Sequence, residues 1–187
     1  SQGARSLRIG YDDRNRRMTL TDSLLRQTRL EYDNADRVTK QVFPDGREVR
    51  LGYDPNSNVT SVTPPGRPAH FFDYTPVDLQ SKYTPPDVGS GSAVTTYGWD
   101  LDKASTGESR PDGRATSFGY DAAGRLSTLT MPEGQTSYSY DATSGNLASV
   151  TSPVGGLGFS YDGSIRTATT WTGSLTGSVA RTFDENL

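Results

Sequence analysis

The chain has 187 residues, a formal net charge of −3 and no cysteine, so it has the length for one large or two small domains but no disulfide framework and no thiolate metal site. Only 32% of its residues are apolar, and Leu, Ile, Val and Phe together make up 33 of the 187, which is thin for an ordinary globular core. No apolar run approaches the ~18 residues of a membrane-spanning helix, the first residues show no signal-peptide core, and the mild negative charge without basic blocks leaves no electrostatic footprint for nucleic acid or an anionic membrane.

Low apolar content alone would suit a disordered chain, but the near-neutral balance does not. The 18 aromatic residues also keep a register. Read from the N-terminus, an aromatic returns at Tyr11, Tyr32, Tyr53, Tyr74, Trp99, Tyr120, Tyr140, Tyr161 and Phe183, with spacings of 21, 21, 21, 25, 21, 20, 21 and 22. Eight of these nine anchors are followed by aspartate: Asp12, Asp33, Asp54, Asp100, Asp121, Asp141, Asp162 and Asp184, with Thr75 the exception. Two residues earlier stand Ile9, Leu30, Leu51, Phe72, Tyr97, Phe118, Tyr138 and Phe159, and only Arg181 breaks that column. A fixed period of about 21 residues identifies a repeat array, and each copy is one supersecondary unit.

Within each copy the two columns lie two residues apart, separated by a small or polar residue such as Gly10, Glu31, Gly52 or Gly119. That alternation predicts a strand with one apolar face. The Tyr-Asp pair leads into a turn where Asn15, Asp36, Gly124 and Gly145 are suited to positive φ, and the aspartate can accept a local backbone hydrogen bond. A second, Thr-rich strand follows, carrying Val59 and Val62, Leu126 and Leu129, or Leu147 and Val150. Pro44-Asp45-Gly46, Pro64-Pro65-Gly66, Pro111-Asp112-Gly113, Pro132-Glu133-Gly134 and Pro153-Val154-Gly155 then turn the chain back, with proline presetting φ and glycine taking the positive value. Helical periodicity is nearly absent, and Leu20 to Leu30 comes closest. Two places depart from the pattern: the lengthened Pro85 to Ser92 loop and the irregular Ile165 to Gly177 copy. Nine copies predict about 18 strands. The last copy starts at Phe183 and stops within its turn, which reads as a piece of a longer array.

A residue repeated in every copy is better explained by the fold than by chemistry, so the Tyr-Asp pairs are expected to pack and to cap turns. Gripping a sugar or calcium is the competing use. Arg16, Arg37, Arg125 and Arg166 follow the aspartate by four and are expected to be exposed surface pairs of little weight. His70, the only histidine, lacks the partners of a zinc site or a Ser-His-Asp triad. The sequence shows no calcium loop, no phosphate-binding glycine loop with its lysine, and no carboxylate pair singled out as acid and base. No catalytic residue, cofactor or metal ligand is assigned.

The run Tyr120-Asp-x-x-Gly124-Arg125-Leu-x-x-Leu129-Thr-x-Pro132-Glu133-Gly134, repeated along essentially the whole chain, resembles the Rhs/YD-repeat family. Members include bacterial polymorphic toxins, the B and C components of insecticidal toxin complexes, wall-associated proteins and teneurins. The resemblance implies an all-β fold for 1–187 as a single YD/Rhs array: a repetitive antiparallel β-hairpin ribbon that curls as part of a β-shell. It implies a structural wall segment, not an enzyme, in a secreted or cell-surface protein. The remaining repeats and a polypeptide toxin cargo of the parent chain would be its partners, and a glycan a further one in the alternative use as a carbohydrate-binding or adhesive module. The family's autoproteolytic segment has no counterpart, since Asp54-Pro55-Asn56 is the only Asp-Pro. Physical scale agrees with curling: about 18 strands at ~4.8 Å spacing make a sheet on the order of 85 Å wide, which twist would not leave flat. Closed alone into a ring they would span only ~27 Å, so enclosure of a folded cargo would belong to the parent. Cross-strand aromatic ladders, at ~0.2 to 1 kcal/mol per pair, are expected to replace a thick core.

Overall fold

The structure, a computed structural model, describes residues 6–87, 89 and 93–183. The chain is all-β, with seventeen antiparallel strands and no helix among the described residues. The strands fall into two units, 1–96 and 97–187. The first holds β1 (Leu7–Tyr11), β2 (Arg17–Asp22), β3 (Gln27–Tyr32), β4 (Val38–Val42), β5 (Glu48–Tyr53), β6 (Val59–Thr63), β7 (His70–Tyr74) and β8 (Gln80–Thr84). The dividing point lies inside β9 (Thr95–Trp99). The second unit holds β10 (Ser105–Ser109), β11 (Ala115–Tyr120), β12 (Leu126–Met131), β13 (Gly134–Tyr140), β14 (Leu147–Ser152), β15 (Gly155–Asp162), β16 (Ile165–Gly173) and β17 (Gly177–Ala180). In each unit the strands pair with their sequence neighbours as a meander.

Odd strands carry the anchors near their ends and even strands the second half of each repeat. The count is seventeen because the ninth copy contributes β17 alone. Its anchor Phe183 stands outside any strand and is 47% exposed, while Asp184 lies outside the described residues. The Pro85 to Ser92 loop is described only in part, since Val88, Ser90, Gly91 and Ser92 are outside the described residues as well. Leu20 to Leu30, the stretch nearest to a helical pattern, is β2, a turn and β3.

No described side chain is fully buried, apolar or polar. One face of the sheet is instead tiled by cross-strand partners: Ile9 opposite Leu20, Leu51 opposite Val62, Phe118 opposite Leu129, Tyr138 opposite Val150, and Val150 again opposite Leu157. These pairs are mostly aromatic with aliphatic or aliphatic with aliphatic, and the aromatic columns recur every second strand, so in the described pairings aromatic rings seldom face one another. Phe72 with Tyr83 (5.4 Å) and His70 with Tyr83 (5.9 Å) are the stacked exceptions, and His70 Nδ1 also lies 2.7 Å from the Tyr83 hydroxyl. The histidine is thus a residue of the sheet face. The opposite face is charged in the first unit, where Lys40 bridges Glu31 (2.7 Å) and Glu48 (3.6 Å) and Lys82 meets Asp73 (2.5 Å). In the second unit the corresponding pairs are small, as in Ser139 with Ser149 and Gly119 with Thr128.

At each of seven anchor tyrosines the register slips by one residue: between Glu31 and Tyr32, for instance, Lys40 faces Glu31 but Val38 faces Tyr32, leaving Thr39 over. Such a bulge bends its strand and adds twist. It recurs at one end of the hairpins, copy after copy.

The turns follow the sequence reading, with φ near +60° to +75° at Asn15, Asp36, Gly124 and Gly145 and positive values at Gly46, Gly66 and Gly113. Asp22, which no sequence signal sets apart, organises the return turn of the first copy just as the Tyr-Asp aspartates do: its carboxylate accepts from the N–H of Leu24 (2.9 Å) and of Arg26 (3.0 Å). Leu25 in that turn sits at φ 62° and is 82% exposed, a left-handed position that a branched side chain tolerates poorly. Leu25→Asn is therefore expected to stabilise the protein by about 0.5–1 kcal/mol, read as a raised midpoint in urea denaturation.

Candidate functional site

The residues that recur in register converge at the Tyr-Asp turns. In the first copy the Asp12 N–H donates to the Arg16 carbonyl and the Asn15 N–H to the Asp12 carbonyl, both at 3.0 Å. The Asp12 carboxylate then accepts from the N–H of Arg14 (3.0 Å), the N–H of Arg16 (2.9 Å) and the Arg16 Nε (2.7 Å). Asp33 and Asp121 repeat this arrangement with Arg37 and Arg125, and Asp54 does so with Asn58. Asp100 accepts from the N–H groups of Asp102 and Ala104, Asp141 from those of Thr143 and Ser144, and Thr75 substitutes its hydroxyl toward Val77 and Leu79. A short side-chain acceptor at this position satisfies amides that the tight turn leaves without strand partners.

The arginines do more than decorate the surface. Arg16 is only 22% exposed and its partner Asp12 13%. Beyond Asp12, its guanidinium reaches the turn of the next copy, donating to the Asp33 carbonyl (3.2 Å) and meeting the Asp36 carboxylate (2.6 Å). It also lies 4.7 Å from the centre of the Tyr32 ring. Arg37 does the same to Asp54 O (2.7 Å), Ser57 Oγ (3.2 Å) and the Tyr53 ring (4.7 Å), and Arg125 to Gly145 O (3.3 Å) and the Tyr140 ring (4.2 Å). Asn58 reaches Asp78 (2.7 Å) and Asn146 reaches the Gly163 carbonyl (2.8 Å). Turns at the same end of a meander lie two strands apart, roughly 9.6 Å, a gap that a long or branched polar side chain bridges.

The tyrosine hydroxyls complete the link in the opposite direction. Tyr32, Tyr53, Tyr74, Tyr120 and Tyr140 donate to the carbonyls of Arg17, Val38, Val59, Ser105 and Leu126 at 2.7–2.9 Å, each the first residue of the even strand before. Tyr11 is 53% exposed. Trp99 and Phe183 have no hydroxyl for this bond, and Tyr161 anchors a hairpin with a shorter turn.

That shorter turn corrects the place of Arg166. Asp162 faces Ile165 across two residues, Gly163 at φ 60° and Ser164, and Tyr161 faces Arg166. The loss of a turn residue moves Arg166 into the row where the other copies have Val38, Val59, Leu126 and Leu147. Among the described residues it has no ion pair with Asp162, and its guanidinium lies 5.6 Å from the Phe159 ring centre.

Hydrogen bonds to the ionised forms hold several carboxylates below the usual aspartate value of 3.8: for Asp12 chiefly the Arg16 N–H, for Asp22, Asp33 and Asp121 chiefly the side chains of Arg26, Arg37 and Arg125, and for Asp141 the Ser144 N–H. Because the folded values are depressed, the stability these bonds confer is present above the unfolded value and is lost as pH falls through the folded ones. The thermal midpoint is expected to hold steady above about pH 5 and to drop below about pH 4. A midpoint unchanged down to pH 2 in circular dichroism melts would refute this. No group of three or more His, Cys, Asp or Glu placed to hold a metal occurs among the described residues.

A hairpin unit with an aspartate-capped turn, a tyrosine that reaches back and an arginine or asparagine that reaches forward defines a YD-repeat ribbon. The Teneurin YD-shell family model matches residues 1–186, and the chain belongs to that family, a family of structural shell domains. Among solved structures it is similar to TcdB2-TccC3-Cdc42, with a TM-score of 0.66 and 12% identity over 95% of this chain and 12% of that one. It is also similar to TcdB2-TccC3, with a TM-score of 0.61 and 14% identity over 82% of this chain and 10% of that one. At this identity the likeness shows the fold, and the chain spans about a tenth of those chains' length. No curated protein sequence matches.

Proposed function

We propose that residues 1–187 form a single repeat array serving as a structural wall segment of an Rhs/YD-repeat shell, one that encloses a polypeptide toxin cargo within a longer, secreted or surface-delivered chain. The observation that carries this reading is the forward reach of Arg16, Arg37, Asn58, Arg125 and Asn146, which ties the turns of five copies to the turns that follow them. A wall one sheet thick has no core on either side to hold its strands, so neighbour-to-neighbour links must supply the stiffness. The recurring bulge at one end of the hairpins supplies a repeated bend of the kind that a curved wall needs. The Tyr-Asp residues act structurally: the rings of Tyr32, Tyr53 and Tyr140 each carry a guanidinium, and their hydroxyls are spent on backbone carbonyls. They retain little with which to bind a sugar, and no catalysis is assigned to this segment.

Limited proteolysis of the full-length parent chain tests the enclosure. A cargo segment should resist protease in the intact protein and become cleavable once Arg37→Ala and Tyr53→Ala loosen the wall. A parent chain with no further repeats, or a cargo segment cleaved equally in both forms, would overturn the proposal.

A further inference from the structure

The turn of the seventh copy is one residue longer than its neighbours, and the insertion opens a cavity where other copies place a side chain. In the sixth copy the Arg125 guanidinium meets three groups: Asp121 Oδ2 (2.8 Å from Nε), the Gly145 carbonyl of the next turn (3.3 Å) and the Tyr140 ring (4.2 Å to its centre). Arg16 is held likewise by Asp12 and Tyr32, and Arg37 by Asp33 and Tyr53. In the seventh copy the Asp141 N–H bonds to the carbonyl of Asn146, five residues on, whereas that of Asp121 bonds to Arg125, four on. Asn146 then takes the link position, and its Nδ2 donates to the Gly163 carbonyl (2.8 Å), one of the three contacts that an arginine makes.

The other two contacts are not made. Asp141 accepts the Thr143 N–H (3.1 Å), the Ser144 N–H (2.7 Å) and the Ser144 hydroxyl (2.8 Å), all on Oδ1. Among the described residues no cation pairs with Asp141 or lies over the Tyr161 ring. The groups that hold the Asp141 carboxyl below its ordinary value are Ser144 and Thr143, with no cation among them, whereas the Arg125 side chain comes first at Asp121. Asp141 is exposed, while Asp12, Asp33 and Asp121 are half-buried beneath their arginines. A cavity of about 360 Å³ lies here, and Asp141, Ser144, Asn146, Phe159 and Tyr161 are in its lining. Arg166, over the Phe159 ring, is not.

From this comparison between copies we propose that the cavity binds an arginine side chain presented by a second polypeptide, its guanidinium paired with Asp141 Oδ2 and resting on the Tyr161 ring. The occupant is the one that the same hairpin carries from within at Arg16, Arg37 and Arg125. A guanidinium is planar and weakly hydrated, so it pairs with a carboxylate through its edge while its face covers an aromatic ring. An ammonium is a point charge and lacks that flat face. The proposal goes beyond the wall role, since it makes the longer turn a point of contact with another chain.

The test is an amide NMR titration of the full chain with the blocked tripeptide Gly-Arg-Gly, read at the Thr143 and Ser144 amides and the Asn146 side chain. Saturable shifts with a Kd of about 1 mM are expected. The Gly-Lys-Gly peptide should bind about threefold more weakly, for want of the stacked face, and the neutral citrulline peptide about tenfold more weakly. Asp141→Asn keeps an acceptor oxygen for the turn amides and should lose about tenfold in affinity, with the rest of the spectrum unchanged. Tyr161→Leu should lose about threefold, and it serves if the first variant fails to fold. No saturable shift up to ~20 mM peptide would overturn the proposal. Equal affinity for the lysine peptide would overturn it by making the cavity a plain cation site, and so would equal affinity for the citrulline peptide or undiminished binding in the variants.

Discussion

Tyr53→Ala is expected to cost about 2–3 kcal/mol, toward the low end for a large aromatic because the ring is only half-buried. The substitution removes three things together: the hydroxyl bond to the Val38 carbonyl (2.8 Å), the ring beneath the Arg37 guanidinium (4.7 Å), and the apolar surface covering the bulge. Tyr53→Phe keeps the ring and should lose only about 1 kcal/mol, the worth of one hydrogen bond. Asn56→Ala, two positions beyond Asp54, removes an exposed contact to Asp78 (2.9 Å) and should stay within about 0.5 kcal/mol. Urea midpoints rank the three. An Asn56 variant less stable than the Tyr53→Ala protein would contradict the placement of the tyrosine at the junction between copies.

The second large effect comes from a glycine. Gly155 sits at φ 154° and pairs with Gly173. A Cβ there would run into the Thr172 carbonyl oxygen and lie 3.2 Å from the Gly173 Cα. Both obstacles are backbone, so no rotamer change relieves them. Gly155→Ala should cost about 3 kcal/mol, combining conformational strain with a displaced strand. Gly163→Ala is the control: its φ is 60° but a Cβ would meet nothing within 4 Å, leaving only the left-handed penalty of about 1 kcal/mol. Equal thermal midpoints for the two variants would show that β15 and β16 yield more readily than their pairing implies.

Much of this was readable from the residues. The 21-residue period, the strand alternation and the turn glycines are local, and each leaves a mark at a fixed offset. Asn15, Asp36, Gly124 and Gly145 could be assigned positive φ because few residue types accept it. What stayed hidden depends on pairing. The bulge at each tyrosine concerns which residue of the opposite strand is skipped, and nothing in Glu31-Tyr32 or Val38-Thr39-Lys40 announces that choice. The forward reach of Arg37 escaped for the same reason: its partners lie in the next copy, about 20 residues on, although the spacing of two strands would have allowed the estimate. Arg166 was misaligned because counting from the aspartate assumes turns of constant length, and the eighth turn is one residue short. The return turn at Asp22 was missed because Leu25 occupies the place where glycine or asparagine would have signalled it.

The forward link is not present in every copy. The position that Arg16, Arg37, Asn58 and Arg125 hold is Leu79 in the fourth copy and Ala104 in the fifth, and neither side chain has a polar group to extend. A linear array held by nearest-neighbour terms behaves like a zip whose teeth differ in strength. Under pulling force or partial denaturation, opening that starts among the copies joined by Arg16, Arg37 and Asn58 would travel freely through them. The protein would then give way in blocks of several hairpins, not one hairpin at a time.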